Sequence, residues 1–163
     1  MKKIFLGLAL LILGGCATTP SAPPVAPISI QLKGTAVEVQ NFIEQTIPYT
    51  HGVYAKNLKI INADNRSITF QTDCLMNVEG MGAFSCTMIL MAVGNSGWDG
   101  PFLNITYRTN EIREEVTVTM QSQWCASNLV GKTNCMKSNL SEEKSNQHLL
   151  DLKKNYEIKV RKL

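Results

Sequence analysis

Residues 103–120 read LNITYRTNEIREEVTVTM. Apolar and polar side chains alternate on both sides of a charged break. Leu103, Ile105 and Tyr107 fall on one face before it. Val116, Val118 and Met120 share one face after it, with Thr117, Thr119 and Gln121 opposite. A period of two is that of a strand with one buried and one wet face. Two such strands in succession predict an antiparallel pair. The turn is expected at Thr109-Asn110, which leaves Glu111, Glu114 and Glu115 around Arg113 at the start of the second strand. Paired carboxylates can serve acid–base chemistry. Here the charges are mixed and no second cluster accompanies them, so they read as a solvated strand end.

Working upstream, Ser67 to Asp73 carries Ile68, Phe70 and Thr72 on one face, and Asp64-Asn65 is a turn that pairs it with a strand from Val53 to Asn62. A turn around Glu79-Gly80-Met81-Gly82 leads to Ala83–Val93. That run is apolar on both faces and is expected to be a central, covered strand. Residues 94–100 form a glycine-rich loop containing Trp98.

The ends of the domain read as helices. Ile28, Ile30 and Leu32 alternate as a short strand that Gly34 breaks. Thr35 followed by Glu38 forms the pattern of a capping box. Ala36, Val39, Ile43 and Ile47 then recur at helical spacing, and Pro48 ends the run. Downstream, 125–138 is expected to be a polar loop. Asn139 with Glu142 would start a second helix carrying Leu149, Leu152 and Tyr156, and 156–160 alternate as a final strand. The fold class is therefore α+β, an antiparallel sheet of about five to six strands packed against an N-terminal and a C-terminal helix. In element order alone this resembles helix-grip modules, including those of an outer-membrane assembly lipoprotein. Fold similarity carries no function.

The first sixteen residues are of a different kind. Lys2 and Lys3 precede an apolar run, Ile4 to Leu13, that closes on Leu13-Gly14-Gly15-Cys16. About ten apolar residues make a helix of roughly 15 Å, half the hydrocarbon thickness of a bilayer, so the run reads as a signal-peptide core. The arrangement resembles the lipobox of bacterial lipoprotein signal peptides. That resemblance implies a diacylglyceryl group on the Cys16 thiol, removal of residues 1–15 and acylation of the new amino group. Ala17, where an aspartate would favour the inner membrane, implies the outer membrane facing the periplasm. Residues 16–29 then form the lipidated cysteine and a proline-rich tether, and 30–163 a single domain.

Loss of Lys2 and Lys3 would reduce sixteen basic residues to fourteen, against thirteen acidic ones. So near-neutral a chain gives no reason to expect a nucleic-acid partner. Four cysteines remain beside Cys16. In an exported protein they are expected to pair. Of three connectivities the two local ones, Cys74–Cys86 and Cys125–Cys135, are favoured, the first because a turn centred on Gly80 would set its members face to face. Neither spacing suits a structural zinc site, and no metal or other cofactor is expected.

No nucleophile elbow, zinc-protease helix or phosphate loop occurs. The histidines, His51 and His148, stand in no recognisable motif and are expected at the surface or at element boundaries. Met76, Met81, Met88, Met91, Met120 and Met136 are expected to fill the core. Trp98 is the candidate interaction residue, and Trp124, beside Cys125, is expected to pack on a disulfide. The chain therefore reads as a lipid-anchored envelope protein, a non-enzymatic interaction or accessory module of a membrane-associated complex. Its partners would be the membrane, through the anchor, and an envelope protein. The alternative is a periplasmic protein binding a small apolar ligand or lipid between sheet and helices.

Overall fold

The structure, a computed structural model, describes residues 29–49, 55–78, 81–94, 99–128, 130–138 and 142–161. Cys16, the tether as far as residue 28, His51, Trp98 and the helix cap expected at Asn139 lie outside them, while Ser29, read as the end of the tether, already belongs to the first strand. The elements are β1 (Ser29–Lys33), α1 (Ala36–Thr46), β2 (Lys59–Ala63), β3 (Ser67–Asp73), α2 (Cys74–Asn77), α3 (Ala83–Ala92), β4 (Asp99–Ile112), β5 (Glu115–Ser127), β6 (Thr133–Lys137) and α4 (Glu142–Val160). All strand pairs are antiparallel, in the order β1-β5-β4-β3-β2, with β6 also pairing β5. The fold is α+β, with the first and last helices flanking a six-stranded sheet.

The centre is the β4–β5 hairpin, and its alternation sets the register. Tyr107 faces Met120 on one side and Ile68 on the other, while Val118 faces both Thr109 and Ile30. These side chains line the buried face with Phe70, Ile105 and Val116. Each large apolar side chain fully buried there contributes roughly 1.5–3 kcal/mol. The hairpin turns later than Thr109-Asn110. Asn110 and Thr109 are still paired with Thr117 and Val118, and the strands close on Ile112 opposite Glu115. Arg113 and Glu114, both with left-handed φ (53° and 62°), form the two-residue turn. Such a turn matches the twist of the strands, although Asn-Gly suits it better. The sequence reading favoured the commoner turn residue, and the register of the buried face overrode it.

α1 begins as the sequence implies. The Glu38 amide donates to Thr35 Oγ1 (3.3 Å), and the Thr35 amide donates to Glu38 Oε2 (2.9 Å). Glu111, read as a solvated strand end, reaches the same helix start, where its Oε2 accepts from the Ala36 amide at 2.7 Å. A carboxylate at a helix N-terminus is favourable electrostatically. α1 buries Val39, Phe42 and Ile43 against the sheet. Its buried Gln40 donates from Nε2 to Thr109 Oγ1 at 2.9 Å. α4 lies alongside β1, and its Tyr156 ring meets Phe42 edge-on, centroids 5.1 Å apart. The Tyr156 hydroxyl donates to the Lys33 carbonyl at 2.8 Å.

Four further expectations are corrected. Ala83–Val93 is not a strand: residues 83–92 form α3. A short apolar run has no periodicity to separate the two states, and Ala83, Met88, Leu90, Met91 and Ala92 are strong helix formers. Of the strand expected from Val53 to Asn62, residues 53 and 54 lie outside the described residues, and Asn57 (φ 52°) interrupts the extended backbone before β2 begins at Lys59. Residues 125–138 are not a stapled loop. β5 continues to Ser127 and β6 returns beside it, with the Asn128 side chain accepting from the Val130 and Lys132 amides in the turn. The final strand is absent, since α4 runs to Val160, held through Leu149, Leu152 and Tyr156 at helical spacing.

Candidate interaction surface

The helices cover one face of the sheet, and the other face is left to solvent. By the register, its central rows are Lys59–Gln71–Asn104–Gln123–Lys137, Asn62–Thr69–Thr106–Gln121 and Ser67–Arg108–Thr119–Ser29. They hold hydroxyls, amides and three cations but no carboxylate. Neighbouring side chains satisfy one another: Gln71 Nε2 donates to Asn104 Oδ1 (3.0 Å), and Thr69 and Thr106 share a hydrogen bond of 3.0 Å. An open cleft of about 820 Å³ lies at the Arg66 and Arg108 end of this face. Its one carboxylate, Asp64, is committed to the β2–β3 turn. It accepts from the Arg66 and Ser67 amides and the Ser67 hydroxyl, which hold it below the usual carboxylate range.

α3 is the chemically unusual element. It carries no charge, and none occurs in the chain between Glu79 and Asp99. No Lys or Arg occurs between Arg66 and Arg108. A helix that is apolar all round is normally enclosed. Here only Cys86 of its ten residues is buried, with Ile89 and Leu90 half-buried against the core. Phe84 is 79% exposed, Met88 52% and Met91 69%. At spacings of four and three they form one stripe along the helix. Leu75, on the neighbouring turn α2, is exposed as well. The one exposed hydroxyl of α3, Thr87 Oγ1, donates to the Ala83 carbonyl at 2.9 Å.

Besides the half-buried Ile89 and Leu90, two links hold α3 in place. Val93, just past its end, is buried in the core. Cys86 is bonded to Cys74 of α2, with Cα atoms 5.9 Å apart. The bond thus joins two short helices and does not cross a strand ladder as the Gly80 register implied. The other bond, Cys125–Cys135, does cross a ladder, between facing residues of β5 and β6. It lies on the open face, where Asn104 Nδ2 donates to Cys125 Sγ. Trp124 points the opposite way, into the core opposite Met136, and so does not pack on that neighbouring bond.

The other singled-out residues fall as follows. His148 is buried, not superficial: its Nε2 and the Tyr107 hydroxyl are 2.6 Å apart. It shares a helical face with Leu152 and Tyr156, a spacing visible in the sequence. Burial pushes the imidazole below its ordinary pKa against a smaller upward pull from Asp151. Tyr156 is pushed up by burial and then by Glu38. Of the methionines, Met120 is buried and Met81 and Met136 pack on the core, whereas Met88 and Met91 face outward. The side chain of Met76 lies outside the described residues. Among the described residues, no group of three or more His, Cys, Asp or Glu side chains could hold a metal ion. None of their helices is long and apolar enough to cross a membrane.

Sequence reasoning missed the α3 stripe. The signal was present in the spacing of Phe84, Met88 and Met91 within an uncharged run, but the same residues fit a covered strand. Comparison with protein-family models, curated proteins and solved structures returns no match. The two disulfides are those of a chain that matures in an oxidising compartment, extracellular or periplasmic.

Proposed function

We propose that this chain is a lipid-anchored envelope protein that acts as a non-enzymatic accessory module, with the outer face of α3 as its contact surface. The observation that carries the reading is a charge-free helix, fixed by Cys74–Cys86, that keeps Phe84, Met88 and Met91 in solvent. Exposed apolar patches on soluble domains mark contact sites for a protein or a membrane. The Leu13-Gly14-Gly15-Cys16 motif supports the anchor, and the disulfides support an oxidising side of the membrane. Trp98, the candidate contact residue of the sequence, lies outside the described residues and adds nothing to this assignment.

The test is intact-mass analysis of the protein extracted from the envelope, combined with co-purification from detergent-solubilised membranes. An acylated product beginning at Cys16, recovered with a stoichiometric envelope protein, is the expected result. A soluble, unacylated product purifying alone overturns the proposal.

A further inference from the structure

We infer that the face of α3 bearing Phe84, Met88 and Met91 rests on a lipid bilayer, in the plane of the interface, and so fixes how the anchored domain stands. This deepens the proposed function and rests on it. Three observations select lipid over a protein occupant.

The first is hydrogen bonding. A protein interface carries about one hydrogen bond per 100–200 Å². The Thr87 hydroxyl, on the exposed side of α3, donates to the Ala83 carbonyl, the bond that helical Ser and Thr make four residues back, and so is not directed outward. A hydrocarbon surface requires no donor or acceptor from its occupant.

Size is the second. Phe84, Met88, Met91 and Leu75 make a patch on the scale of the largest apolar patch of an ordinary monomer, roughly 300–600 Å². Together they fall well short of the roughly 800 Å² per partner buried in a stable protein interface. A second copy of this chain seated on the same stripe would have too little to hold it. A chain already tied to the membrane has no such requirement. The stretch from Cys16 to Ser29 reaches roughly 40 Å in polyproline geometry, so the bilayer is present at high effective concentration. A weak apolar contact is then enough to orient the domain.

The third is geometry and charge. α3 has ten residues, about half of what a membrane span needs, so it cannot cross the bilayer, and what it can offer to the interface is the stripe of Phe84, Met88 and Met91. No Lys or Arg occurs between Arg66 and Arg108, so α3 has no sequence-neighbouring cation to pull it toward anionic headgroups. The attraction is apolar and independent of salt and of lipid charge.

The test uses the full acylated chain reconstituted in vesicles of phosphatidylcholine and phosphatidylethanolamine. A benzophenone side chain replaces Phe84, Met88 or Met91 in turn, or Gln121 on the open sheet face as reference. All four positions are exposed, and circular dichroism checks that each variant keeps its fold. Severalfold more lipid adduct at the three helix positions than at 121, undiminished by high salt, is expected. The double variant Met88→Ser/Met91→Ser should bring the yield at position 84 down to that of the reference. The same variants are then irradiated in cells. Lipid yields equal to the reference, with one discrete protein adduct at 88 and 91, overturn the lipid assignment and leave the contact surface standing. Background labelling at all positions in both settings overturns both.

Discussion

Replacing Cys74 and Cys86 together by alanine should free α3 without dismantling the sheet. The bond closes a loop between residues twelve apart in sequence. In the chain-entropy account a loop of that size is worth about 3 kcal/mol. The location of the loss matters more than its size. α3 buries only Cys86, and besides that residue it is held by two half-buried side chains and by Val93 beyond its end. A ten-residue helix is marginal in water on its own. Without the bond, α3 should therefore open locally, ahead of global unfolding. Amide hydrogen exchange separates the cases. The amides at positions 86 and 93, which donate to the Gly82 and Ile89 carbonyls, should exchange orders of magnitude faster in the variant than in the parent. The amides of the β4–β5 ladder should stay among the slowest. The counterpart variant Cys125→Ala/Cys135→Ala should lose a similar total stability, since its loop spans ten residues, yet leave α3 protection unchanged relative to the ladder. If α3 amides in the first variant still exchange only with the ladder, the helix is held by packing, and the stapled-platform reasoning is wrong.

Three further outcomes are expected. His148 is held neutral by burial, with a pKa below its ordinary value. As pH falls below about 6.5, the unfolded chain binds a proton that the folded chain refuses, so stability declines until the folded pKa is passed; urea melts across that window should show the decline, and His148→Gln should remove this component. Gly34 has φ +128°, and an added Cβ would meet the Tyr156 hydroxyl at 2.7 Å and Glu38 Oε2 at 2.8 Å. Gly34→Ala should accordingly cost about 1–3 kcal/mol in denaturant melts through backbone strain, with the clash adding to it; an unchanged midpoint would contradict the geometry. In the β4–β5 turn, Arg113→Asn with Glu114→Gly should raise stability by about 0.5–1 kcal/mol, because both positions are left-handed and the new pair suits them.

The sheet was legible where one face is dry and one wet. The alternation at Leu103–Tyr107, Val116–Met120 and Ile68–Thr72 fixes strands and faces together, and the Thr35–Glu38 box marks the start of α1. Legibility failed where that contrast vanished. In Ala83–Val93 every residue is apolar or small, so neither period stands out, and the local preference of Ala, Met and Leu for helix decides. The β5–β6 hairpin hid for another reason: residues 127–134, SNLVGKTN, show no period-two alternation, and its pairing rests on Trp124, Ala126 and Met136 reaching the core. The candidate surface was obscured by the same misreading, since as a strand the run would have been covered.

With the helices on one side of the sheet, the apolar outer face of α3 and the polar open face of the sheet are two exteriors of opposite chemistry. Should the greasy side settle on lipid, the layer of amides, hydroxyls and scattered cations would be carried on the far side, turned to the aqueous compartment. A visitor approaching from there would meet no acidic group across the middle of that floor, so the first thing it sensed would be a gentle preference for anions.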